Sequence, residues 1–203
     1  MLAGAALTLV VLAAVATFSR AQSRALLAQN VYAESQTVTR SVIDLLTREL
    51  RMATYDPLGI ALTTAPGPNC PGVKQGIVEA SATKIRFKQD LSGDGLTTGS
   101  GEDVTYDVLN DTIRRQDGAA AAVTLVNGIP SGGFQLRYFD GSNPPVELVP
   151  SGSPSALTSG QRDCVAKVRI SVRADLANPT LNVPLASVAQ TEVAIRNRSL
   201  MNF

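Results

Sequence analysis

The chain has 203 residues, a net charge of +1, 4% aromatic residues, no histidine and two cysteines. Near-neutral charge and sparse aromatics exclude a nucleic-acid binder that works by electrostatic steering or base stacking. The lack of histidine removes the commonest general base, the serine–histidine triad and most zinc sites, and two thiols cannot complete a four-thiolate centre.

Residues 1–18 read MLAGAALTLVVLAAVATF, without a charge, and Arg20 and Arg24 follow. At helical rise this run extends ~27 Å, close to the hydrocarbon thickness of a bilayer. A cleaved secretory signal would want a basic start, and Arg20 sits badly beside a cut at 19–21. A buried core helix is the plainer alternative, but the run is apolar on every face and starts at the terminus. The expectation is therefore a membrane-spanning helix over residues 1–20.

From 21 to 53 there is neither proline nor glycine. Leu27, Val31, Val38, Val42, Leu45 and Leu46 fall on one stripe at three-, four- and seven-residue steps, which predicts an amphipathic continuation of the same helix over 21–55. The stripe serves either the chain's own domain or a partner helix, and both can hold along different lengths. Pro57 disfavours helix at Asp56, so the helix should end near Tyr55. Glu34 and Glu49 lie near the stripe, where a carboxylate wants a base or water; solvated edge positions are expected.

Over 56–203 the period changes to two. Alternating runs at 83–89, 103–109, 112–116, 122–126, 134–139, 164–176 and 187–197 predict an antiparallel β domain. Asn110-Asp111, Asn127-Gly128 and Asp140-Gly141 stand at their ends as turn signals, and a bulge is expected near Ala166, where alternation slips. Residues 142–163 read as a long proline- and serine-rich excursion. The expected class is α+β, a long N-terminal helix laid on a mainly antiparallel sheet.

Taken in order, LLTRELRMATYDP, ATKIRFKQDLSGDG, GEDVTYDV, TIRRQDG, FQLRYFDG and TEVAIRN resemble type IV pilin-like proteins, in particular PilW-type minor pilins, which are related to the J-type pseudopilins of type II secretion. The resemblance covers most of residues 40–197. It implies a non-enzymatic filament subunit, anchored in the bacterial inner membrane with its head in the periplasm. From there it would be drawn into a pilus or pseudopilus, at the tip. The partners it implies are other minor pilins or pseudopilins, the major pilin, the inner-membrane assembly platform and membrane lipid, with no nucleic acid. The alternative is a filament-tip or membrane-anchored binding module for adhesion or substrate contact. The family's leader peptide, glycine–phenylalanine cleavage site and early glutamate are not in this chain; on the family's spacing Met1 falls several residues inside the mature protein. Ala3, Gly4, Ala5, Ala6, Ala13, Ala14 and Ala16 would allow close helix approach.

Two further expectations concern the head. Asp90, Ser92 and Asp94 occupy positions one, three and five of a calcium-type loop, with Gly95 at the sharp turn. The twelfth position is Gly101, but Glu102 and Asp103 stand just beyond; calcium and a plain glycine-rich hairpin loop are both open readings. Cys70 and Cys164, in an oxidising compartment, are expected to form a disulfide, two buried thiols being the alternative.

Overall fold

The computed structural model describes residues 2–63, 70, 73–176 and 185–196, the side chains of 2–10, 176 and 185 excepted. The first element, α1 (Leu2–Met52), is one unbroken helix of 51 residues, ~77 Å long at helical rise. It stops short of Tyr55 because tertiary pairing takes over the backbone. The Thr54 N–H donates to the Lys88 carbonyl at 3.0 Å, and the Asp90 N–H donates to the Tyr55 carbonyl at 2.7 Å. Thr54 takes φ 66°, a left-handed conformation that threonine rarely adopts. A Cβ on Gly76 would lie 2.6 Å from Thr54 Cγ2, 2.8 Å from its Cα and 2.9 Å from the Lys88 carbonyl oxygen. Glycine is needed there to let the chain pass.

Where one sheet was expected, the head holds two. The first runs in chain order through β1 (Ile77–Ala80), β2 (Lys84–Lys88), β3 (Asp103–Leu109), β4 (Thr112–Asp117) and β5 (Val123–Asn127), all antiparallel. The Asn110-Asp111 signal makes its hairpin: both residues have positive φ, 51° and 57°, as a two-residue turn between twisted strands requires. Asn127-Gly128 makes none. There the chain leaves the first sheet, and the Gly128 carbonyl accepts from the Asp175 N–H at 2.7 Å.

The second sheet contains β6 (Phe134–Phe139), β7 (Glu147–Leu148), β8 (Lys167–Leu176) and β9 (Leu185–Ala194), in the order β7-β6-β8-β9. Asp140-Gly141 opens a wider loop to β7, held by Asp140 Oδ1 accepting from the Ser142 and Val146 N–H groups. The excursion at 142–163 is partly ordered. Its end forms α2 (Ser159–Cys164), whose N-terminus is closed by a reciprocal Thr158–Gln161 capping box. The break in alternation around Ala166 falls at the junction of α2 with β8, where the Ala166 N–H donates to the Phe139 carbonyl at 2.8 Å although Phe139 is registered opposite Lys167. From Lys167 onward β8 pairs with both neighbours in unbroken register, and further register shifts fall between Ile77 and Glu79 and between Ile113 and Arg114.

Both sheets turn an apolar face inward. Ile85, Phe87, Val104, Tyr106 and Ile113 from the first, and Phe134, Leu136, Tyr138, Val168, Ile170 and Val172 from the second, join one core with Val42, Leu46 and Leu50 of α1. The Tyr138 hydroxyl donates to the Ser81 carbonyl at 2.7 Å, and the Leu136 N–H to the Ala82 carbonyl at 2.8 Å, which ties the sheets together. The helix lies chiefly over β9 and β8.

Candidate functional site: the helix seam and the acidic loop

Burial divides α1. Val42 and Leu46 are fully covered, while Val31, Val38 and Leu45 are partly buried. Leu27, placed on the same stripe by its spacing, is 50% exposed. Between 11 and 30 almost every side chain is open to solvent, including Val11, Leu12, Val15, Phe18 and Leu26. Among the described residues no helix is long and apolar enough to cross a membrane. Side chains 1–10, half of the expected span and including Ala3, Gly4, Ala5 and Ala6, lie outside that description.

Two of the most buried positions on the helix are polar. Ser35 and Thr39 meet Ser187 of β9 in a hydroxyl cluster: the Ser35 hydroxyl donates to Ser187 Oγ at 2.7 Å, and Thr39 and Ser187 lie 2.8 Å apart. An apolar stripe cannot reveal them. Their phase can, since 35, 39, 42 and 46 step by four, three and four.

Glu49 is no solvated edge residue. It accepts from the Tyr106 hydroxyl at 2.5 Å and from Arg115 Nε at 3.1 Å, so the last turns of α1 are fastened to β3 and β4. Burial, and then the bond to Glu49, push the Tyr106 phenol well above its ordinary range. Glu34 remains exposed.

The loop at 90–103 gathers part of the expected oxygen set. Carboxylate oxygens of Asp90, Asp94 and Glu102 lie within 4.8 Å of one another, with Asp90 and Glu102 buried and Asp94 exposed. The Ser92 hydroxyl reaches Asp90 at 3.4 Å. Asp103 does not join: it turns away to form a two-pronged pair with Arg86 at 2.8 and 2.6 Å, which holds its carboxyl below the usual range. Gly95, at φ 81°, is the sharp turn predicted, and a Cβ there would meet Ile60 at 2.6 Å.

The donor set fits a hard, oxygen-seeking cation in type, but the loop also satisfies itself. Asp90 accepts from the N–H groups of Gly93 and Gly95, and Glu102 from those of Leu91, Ser92 and Gly99. Burial pushes the Glu102 carboxyl up; the amides and the Ser92 hydroxyl outweigh it and leave the group below its ordinary range.

Cys70 and Cys164 are joined, with Cα atoms 5.5 Å apart and a sequence separation of 94. The bond pins residue 70 to the end of α2 and points to an extracytoplasmic location. In the chain-entropy account a loop of this size contributes ~4–5 kcal/mol.

Comparison with protein-family models, curated proteins and solved structures finds no match to this chain. The long helix packed on antiparallel sheets is consistent with a pilin-like fold.

Proposed function

We propose that the protein is a structural subunit of a type IV pilus or a related secretion pseudopilus, a minor pilin that helps prime filament assembly with other minor subunits. The observation that carries this reading is a single continuous helix, fastened into a two-sheet head along 31–52 and bare over 11–30. A free stretch that exposes Val11, Leu12, Val15, Phe18, Leu26 and Leu27 is a poor solution in water. In lipid, or among sister helices, that surface is covered.

On this reading residues 1–20 start in the inner membrane and the disulfide-bonded head stands in the periplasm. Extraction into a filament exchanges lipid contacts for helix contacts, because exposing the chain to water would cost ~0.8 kcal/mol per CH₂ group. The function needs no chemistry from the head, and no catalytic role is assigned to any residue.

The test is co-purification from membranes of cells that make the other minor pilins. The full chain should bring those subunits down, and Phe18→Asp should abolish recovery while leaving the head folded. Release of the chain as a free periplasmic protein with no pilin attached would overturn the proposal. Capture of a surface ligand by a chain that recruits no pilin would favour the tip-binding alternative instead.

A further inference from the structure

A sheet edge presents a row of backbone N–H and C=O groups to any strand that can reach it, and folded proteins usually blunt such edges. Three of the four sheet edges here are blunted. β1 is capped by the segment at 156–157, where the Leu157 N–H donates to the Ala80 carbonyl at 2.8 Å and Ser81 bridges Ala156. β7 is two residues long and sits between Pro145 and Pro150. β5 is short, carries a register shift against β4 and lies partly against α1.

β9 also lies against α1, but it has none of the other protections. It pairs with β8 over ten consecutive residues without a bulge, and it contains no proline, glycine or lysine. Its one charge, Glu192, turns back to Lys167 and Arg169 on β8. The direction of its free groups follows from the ladder. The Ile195 N–H donates to the Ala166 carbonyl, so odd-numbered residues of β9 face β8 and even-numbered ones face outward. Ala186, Val188, Gln190, Glu192 and Ala194 therefore present their backbones at the free edge. None of these backbone groups bonds another element among the described residues.

A small groove lies beside the first part of this strand, between 187–189 and the helix residues Tyr32, Gln36 and Arg40. The three helix residues are spaced by four, so they form a row along one side of α1. Arg40 is exposed and makes no ion pair among the described residues.

We propose that the free edge of β9 is a strand-docking site. Its occupant is an extended segment of another polypeptide, with backbone paired to the even-numbered residues and a carboxylate side chain set against Arg40. Main-chain bonds supply the affinity in this mode of recognition, and the Arg40 row supplies the selectivity. The site is separate from the bare half of α1 and holds whether or not that half enters a filament.

The test uses the full chain in mild detergent and a labelled decapeptide that alternates threonine and valine around one central aspartate, followed by fluorescence anisotropy. Saturable binding is expected, about threefold weaker when lysine replaces the aspartate, as for an exposed ion pair. Arg40→Ala should erase that difference. Gln190→Pro should weaken binding more than about tenfold and leave the melting temperature in place, since proline is tolerated where a strand N–H points outward. Ala186→Pro, near the strand's start, serves the same purpose if Gln190→Pro does not fold. The proposal is overturned by a folded proline variant that binds as well as the parent, or by no binding at about 1 mM peptide. It is also overturned by self-association that Gln190→Pro abolishes, or by binding that arises only when residues 197–203 are deleted, because then a second copy or the chain's own end fills the edge.

Discussion

The two halves of α1 share one helix and much the same taste for apolar residues, yet they live in different surroundings. From 31 to 52 the residues at three- and four-residue steps are covered by β8, β9 and the inner faces of both sheets. From 11 to 30 comparable residues stand open. The head already holds the upper turns helical, so the lower half propagates from a formed nucleus and escapes the usual cost of starting a helix. Periodicity therefore reports that a helix forms; only the head's location reports what covers each length of it.

Breaking the covered half should give the largest effects. Leu46 has no exposed surface and touches the common core, so Leu46→Ala is expected to cost ~2–5 kcal/mol of head stability in urea unfolding. Gly76→Ala pushes a methyl into the Thr54 backbone and the Lys88 carbonyl where the helix hands over to the sheet, and should cost ~1–3 kcal/mol by the same measurement. A Gly76→Ala protein as stable as the parent would show that the handover can move aside.

Glu49 sharpens the boundary from the helix side. Replacing it with glutamine removes a half-buried charge from Arg115 and Tyr106, for an expected loss of ~1–3 kcal/mol. A double-mutant cycle with Arg115→Met should show coupling of the same sign. Independent effects would mean that the helix is held by apolar packing alone.

The acidic loop answers to pH, and the direction follows from Glu102. Its folded carboxyl sits below the ordinary value, so the unfolded chain binds the proton more readily. The stability this contributes is present above about pH 4.3, the ordinary glutamate value, and is lost as pH falls through the folded one. Asp56 and Asp103 shift the same way and steepen the fall. Glu102→Gln should therefore lower the melting temperature at pH 7, with the gap to the parent closing toward pH 3.

The elements most legible in the sequence were those whose signal is local. The strand at 103–109 and the turn at Asn110-Asp111 need only alternation and a pair of residues tolerant of positive φ. The division into two sheets was not legible, because Asn127-Gly128 has the same letters whether the next strand returns beside β5 or departs. The short β1 and the capped α2 were hidden in turn-rich stretches, where tertiary contacts outweigh propensity. At the loop, spacing identified Asp90 and Asp94 but could not tell Glu102 from its neighbour. Strand pairing decides that: Asp103 belongs to β3 opposite Lys88 and points to Arg86, whereas Glu102 precedes the strand and folds over the loop. Glu49 and the hydroxyls at 35 and 39 were missed because their partners lie far along the chain.

The smallest expected effect on stability falls in the bare half, and it is the most informative about the comparison. Leu27 keeps half of its surface in solvent, so Leu27→Ala removes little that the fold has buried. Head stability should change by no more than about 0.5 kcal/mol, the range of surface substitutions away from special features. If the lower helix is an assembly surface, the same change should still weaken recovery of partner subunits, because the leucine is buried only in the complex. A variant that lost stability as Leu46→Ala does would show that the head reaches further down α1, and one that left both readouts unmoved would confine the assembly surface to residues N-terminal to Arg20.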